Sequence, residues 1–165
     1  MSIEILNESG TDLDVRRLSS LSRFVMDRLR VHPQAELCIK AVDEDTIALL
    51  NEQWMEKEGP TDVLAFPMDE LRPGTVTEDP EEGVLGDLVL CPTIAERQGL
   101  EAGHGRDAEI ELLTVHGILH LLGYDHASPE EHTDMFGLQE RLLEEWRAPH
   151  VHRPAVHPLS RPRDR

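Results

Sequence analysis

A chain of 165 residues is the length of one domain and can bury a sizeable core. Apolar residues make up 39% and charged residues 30%; no run approaches ~18 apolar positions, which excludes a transmembrane span and leaves an ordinary globular domain. The formal net charge of −17 excludes a protein that coats nucleic acid by bulk electrostatics.

The opening "MSIEILNES" has neither the basic start nor the apolar stretch of a secretion signal. Residues 3–8, "IEILNE", read as a first strand. Residues 12–31 place Leu13, Leu18, Leu21, Val25 and Leu29 at helical spacing. "AELCIKAVD" (35–43) alternates with period two at Leu37, Ile39 and Ala41, the pattern of a second strand. Asp43 then offers a side-chain cap to a helix, "EDTIALLNEQWM", which Gly59-Pro60 follows as a breaker. "TDVLAFPMD" (61–69) is a third strand, and residues 70–83 form a turn-rich acidic loop of a length that is usually functional. "VLGDLVLC" (84–91) is a fourth strand, with Pro92 in the first turn of the next helix, "PTIAERQGLEA".

Another helix is expected from about Asp107 to Leu122. The last begins at Ser128, where "SPEE" supplies an N-cap serine, a proline at the first helical position and a capping-box Glu131. Its stripe of Met135, Leu138, Leu142 and Trp146 should face the core. The expected order is therefore β-α-β-α-β-β-α-α-α: a mixed α+β domain over residues 1–147, with helices covering a sheet of about four strands. Residues 148–165, rich in Pro, His and Arg, read as a disordered tail. That tail carries four arginines and one aspartate, a net of +3, so the body before it stands at −20. Within the body, five arginines between 15 and 30 give one helix a locally basic face, read here as a solvated surface.

The stretch that carries chemistry is "HGILHLLGYDH". His116 and His120 are four apart, so their imidazoles neighbour each other on one face of a helix and can share a metal ion. Gly123 stands where the helix must stop, and the chain can then return His126 to the same ion. Three neutral nitrogen ligands leave a fourth position open, the mark of a catalytic rather than a structural site. The spacing is that of H-E-x-x-H-x-x-G-x-x-H metalloproteases, except that Gly117 occupies the glutamate's position. Without that proton carrier an amide leaving group is poorly served. A phosphodiester still benefits from a metal that lowers the pKa of bound water and neutralises an anionic transition state. RNA can supply its own 2′-hydroxyl as nucleophile, so catalysis is expected from the metal-bound water or from that hydroxyl beside the metal.

Asp125 either orients an imidazole through a hydrogen bond or is an exposed turn aspartate. Glu109, His104 and His132 read as surface residues, and the tail's His150, His152 and His157 carry little functional weight. Cys38 and Cys91 lack C-x-x-C spacing and read as buried free thiols in a reducing cytoplasm.

Three segments carry a family resemblance: "HGILHLLGYDH" (116–126), "LNEQWMEKEGPTDVLAFPMD" (50–69) and "LGDLVLCPTIAERQ" (85–98). Together they resemble, in order and spacing, the YbeY family of bacterial endoribonucleases that mature ribosomal RNA. The resemblance implies a zincin-like three-layer α/β/α fold and one Zn2+ held by His116, His120 and His126. It further implies single-strand-specific endoribonuclease activity in 16S rRNA 3′-end maturation and late ribosome quality control. The partners implied are ribosomal RNA, the small ribosomal subunit with one of its proteins, and the assembly GTPase Era. Two positions depart from the family pattern. Met55 follows Trp54 where many members carry an arginine, so that residue's role, such as phosphate contact, is either absent or supplied elsewhere, with Lys57 and Arg72 as candidates, and Ala65 replaces a common serine. The alternative reading is a ribosome-assembly binding factor with a mainly structural zinc; a metalloprotease is disfavoured by Gly117.

Overall fold

The computed structural model describes residues 2–55, 62–69, 71, 83–124 and 127–148. Among these residues nine elements follow in the expected order: β1 (Ser2–Asn7), α1 (Val15–Arg28), β2 (Glu36–Ala41), α2 (Glu44–Met55), β3 (Val63–Pro67), β4 (Val84–Leu90), α3 (Pro92–Ala102), α4 (Arg106–Leu121) and α5 (Pro129–Arg147). The helix expected over 12–31 is shorter because Asp14 caps it, its carboxylate accepting from the Arg17 backbone N–H at 3.1 Å. Asp43 caps α2 as expected, accepting from the Thr46 N–H at 2.8 Å.

The four strands form one sheet in the order β1-β2-β4-β3. β1, β2 and β4 run parallel, with Ile5 beside Ile39 and Ile39 beside Leu88. β3 is the antiparallel edge, pairing Ala65 with Leu88 and Phe66 with Asp87. β2 buries alternate residues, Leu37, Ile39 and Ala41, while β4 is buried on both faces, as a central parallel strand must be.

That two-sided burial separates the layers. On β4, Leu88 points into the large core cluster shared with Leu21 and Val25 of α1, Ile118 of α4 and Leu138 of α5. Its neighbour Val89 points the other way. There it joins a smaller cluster of Val42, Ile47, Leu64, Cys91 and Ile94, closed by α2. The result is the expected three-layer mixed α/β arrangement. Met135, Leu138 and Leu142 are buried in the core, whereas Trp146, at the end of that stripe, is only half-buried and lies under the Arg17 guanidinium.

The breaker Gly59-Pro60, the acidic loop 70–83 apart from Leu71 and Gly83, and the tail from 149 lie outside the described residues, as do Lys57 and Arg72. No described helix is long and apolar enough to cross a membrane.

Candidate metal centre

α4 brings the first two histidines of the motif to the sheet. Gly117 is buried, and a Cβ built on it would come within 2.7 Å of Leu88 Cδ2 and 3.1 Å of Leu88 Cδ1. The glycine therefore lets α4 approach β4 closely. The position that would hold a protease's glutamate is turned against a packed leucine.

His116 and His120 lie together on the helix flank, half-buried. Their rings meet edge to face, with centroids 4.6 Å apart and planes at 80°. The two Nε2 atoms are 3.1 Å apart. Nitrogen ligands about 2.05 Å from one tetrahedral ion would be separated by about 3.3 Å. The observed separation matches that edge to within a few tenths of an ångström, so the donor pair fits a metal such as zinc. His116 Nδ1 lies 2.9 Å from the amide oxygen of Gln139 on α5, and the Phe136 ring packs 5.4 Å from the His116 ring. A histidine ligand whose second ring nitrogen donates to a protein oxygen is held in one tautomer and one orientation.

The helix stop works as the sequence implies. Gly123 adopts φ +95, its N–H donates to His120 O at 3.0 Å, and the Tyr124 N–H donates to Leu119 O at 3.0 Å. This pair of bonds is the Schellman pattern that satisfies the last carbonyls of a helix. Tyr124 is buried, which turns the chain back toward the core. After the turn, Ser128 and Glu131 close a reciprocal capping box that starts α5. Asp125 and His126, between these two fixed points, lie outside the described residues. Among the described residues, no third His, Cys, Asp or Glu joins the pair.

Other candidates fall elsewhere. Glu109, expected on the surface, is 6% exposed, and its carboxylate lies 2.6 Å from Nε2 of the half-exposed His104. With its amide nitrogen turned toward them, Gln98 donates to Glu109 and to Asp62 at 3.2 Å each. The burial that the sequence reading missed comes from α3, through Gln98, and from the residues between α3 and α4, through His104. His132 is exposed as expected but stacks on Phe136, with centroids 4.3 Å apart. Cys91 is buried, whereas Cys38 is only half-buried; burial, with Asp87 and Glu4 nearby, pushes the Cys38 thiol up, away from the reactive thiolate. On α1, Arg17 and Arg28 are engaged by Glu111 and Glu145, so the expected basic face is partly neutralised. Trp54 is 67% exposed, and Ala65 is half-buried on β3. Gln139 was missed, although a polar residue beside Leu138 and one turn after Met135 on a core-facing stripe was a legible signal.

Comparison with known proteins gives one consistent answer. A family model described as Endoribonuclease YbeY matches residues 4–147. A Nocardioides protein named Endoribonuclease YbeY is 82% identical over 148 residues, covering 90% of this chain and 99% of that protein. One of the same name from Acidothermus cellulolyticus is 58% identical, covering 90% of this chain and 93% of its own. Among solved structures, the solution structure of TM1509 from Thermotoga maritima aligns with a TM-score of 0.59 at 28% identity, covering 94% of this chain and 99% of that one.

Proposed function

The chain belongs to the YbeY family of endoribonucleases, hydrolases that act on RNA, and from that premise we propose that it cuts single-stranded RNA at a zinc site held by His116, His120 and His126. The observation that carries the reading is the convergence of His116 and His120, Nε2 to Nε2 at 3.1 Å, with His116 Nδ1 bonded to Gln139. When bound, the metal supplies Lewis acidity to a phosphodiester oxygen and lowers the pKa of water beside it.

The chain's own residues do the rest. His116 and His120 present ring nitrogens from one helix, and Gln139 holds the first of these rings in place. Gly117 contributes no proton carrier, and a side chain there would have to displace the buried Leu88 methyls. This arrangement serves a substrate that carries its own nucleophile. An RNA 2′-hydroxyl adjoins every scissile phosphate, so the protein need only position the strand and stabilise developing charge. In a body of net charge −20 the strand is best delivered on a partner rather than captured from solution. The proposed setting is the cytoplasmic small ribosomal subunit, with one of its proteins and the GTPase Era, during maturation of the 16S rRNA 3′ end.

The test begins with the metal content of full-length protein purified without chelator. Cleavage of a single-stranded RNA is then measured with and without chelator, beside a His120→Ala variant. Bound zinc and chelator-sensitive cleavage that the variant loses are expected. Absence of bound metal would overturn the metal reading. Metal present, with RNA cut equally by both proteins, would overturn the proposed site in favour of a binding factor.

A further inference from the structure

We infer that Gln139 is a positioning residue for the metal-binding pair: its amide oxygen fixes the His116 ring in the tautomer that turns an Nε2 lone pair toward His120. This deepens the proposed metal site and rests on that reading.

Gln139 is 3% exposed and sits between Leu138 and Leu142 on the core-facing side of α5. A buried amide costs about 1–3 kcal/mol unless its hydrogen bonds are made, so such a residue in an apolar stripe calls for a partner. Its partner is His116 Nδ1 at 2.9 Å. A carbonyl-type oxygen only accepts, so Nδ1 carries the hydrogen. A neutral imidazole has one N–H, and Nε2 is left as a lone pair. That lone pair faces His120 Nε2 at 3.1 Å. With an ion present, His116 is already the acceptor that ligation needs.

The acceptor arrives from a helix fixed at both ends. The capping box of Ser128 and Glu131 sets the start of α5, and Arg147 donates to the buried Glu111 of α4 at 2.9 Å near its end. Met135, Leu138 and Leu142 pin the middle in the core. Phe136, also on α5, packs against the same ring at 5.4 Å. The orienting contact thus bridges two helices, so it can hold the ring at a set angle before any metal binds.

Two variants separate positioning from bulk. Gln139→Met keeps the volume and removes the acceptor; Gln139→Glu keeps the acceptor. Nitrogen-15 NMR of the metal-free full chain reads the His116 tautomer, and competition with a chromophoric chelator reads zinc affinity. Wild type and Gln139→Glu should show His116 protonated at Nδ1, and Gln139→Met should lose that preference. Zinc affinity should fall roughly tenfold to hundredfold in Gln139→Met and be no weaker than wild type in Gln139→Glu. A wild-type His116 protonated at Nε2 overturns the inference, as does a Gln139→Met that binds zinc like wild type. A Gln139→Glu that loses as much affinity as Gln139→Met overturns it too. Should Gln139→Met fail to fold, the wild-type tautomer and the Gln139→Glu affinity still decide. A wild type that takes up no zinc overturns the metal reading itself, an outcome distinct from a zinc-binding wild type indifferent to residue 139.

Discussion

Replacing Gly117 with alanine tests whether the glycine is there for packing. An exposed helical glycine changed to alanine gains about 1 kcal/mol from helix propensity. At Gly117 the new methyl would lie 2.7 Å from Leu88 Cδ2 and 3.1 Å from Cδ1, and Leu88 is fully buried, so its methyls must shift within the packed core. Overpacking of this kind costs about 1–3 kcal/mol, so the net effect runs from neutral to about 2 kcal/mol of destabilisation. Gly137 on α5 is the internal control, since a Cβ there meets nothing within 4 Å. Gly137→Ala should return the full propensity gain. Leu88→Ala removes all three atoms that crowd the site; in that background Gly117→Ala should turn stabilising, for a coupling of about 1–3 kcal/mol. Leu88→Ala alone costs about 2–5 kcal/mol, affordable against the 5–15 kcal/mol typical of a domain. Urea titrations at constant m give each value. The reasoning fails if Gly117→Ala stabilises the wild-type background or has the same effect in both. Gly117→Glu, which restores the protease motif, adds a charge to the same collision and should unfold the protein rather than create a peptidase.

Two further predictions concern the ion pairs that hold the layers. Glu111 is buried and takes Arg17 Nε at 2.6 Å on one oxygen and Arg147 NH2 at 2.9 Å on the other, joining α1, α4 and α5 and raising the Arg17 pKa. Both arginines are half-exposed and can rehydrate, so Glu111→Gln should cost about 1–3 kcal/mol rather than the 3–5 of a fully desolvated pair, read as the urea midpoint; a midpoint equal to wild type would refute the assignment. Glu44 on α2 receives a bidentate pair from Arg97 on α3, at 2.8 and 3.0 Å, and a bond from Thr93 at 2.9 Å, which hold its carboxyl below its usual 4.5. Its contribution is complete above about pH 4.5 and disappears as pH falls through the depressed value. Melting temperatures of wild type and Glu44→Gln should therefore differ near neutrality and converge in acid; a gap that widens in acid would refute the sign.

What the sequence made legible was local. Element order, the Asp43 and Ser128 caps and the stop at Gly123 depend on residues within one or two turns of one another, and each is where its residue type requires. The His116–His120 pair was legible for the same reason, because helical geometry alone sets that spacing. What stayed hidden depends on chain segments far apart in sequence. Glu109 reads as a surface carboxylate on its own helix, and only Gln98 and His104 reveal that it is buried and paired. Gln139 is separated from His116 by 23 positions and an intervening turn.

Gly117 shows how much such a contact changes a reading. From sequence the residue is an absent glutamate and an argument about leaving groups. In the fold it is the point where α4 touches β4, and a larger side chain meets Leu88 before it can reach a substrate. The two statements support each other. A fold that seats α4 this tightly against β4 places no general base at residue 117, an arrangement suited to a substrate that brings its own nucleophile.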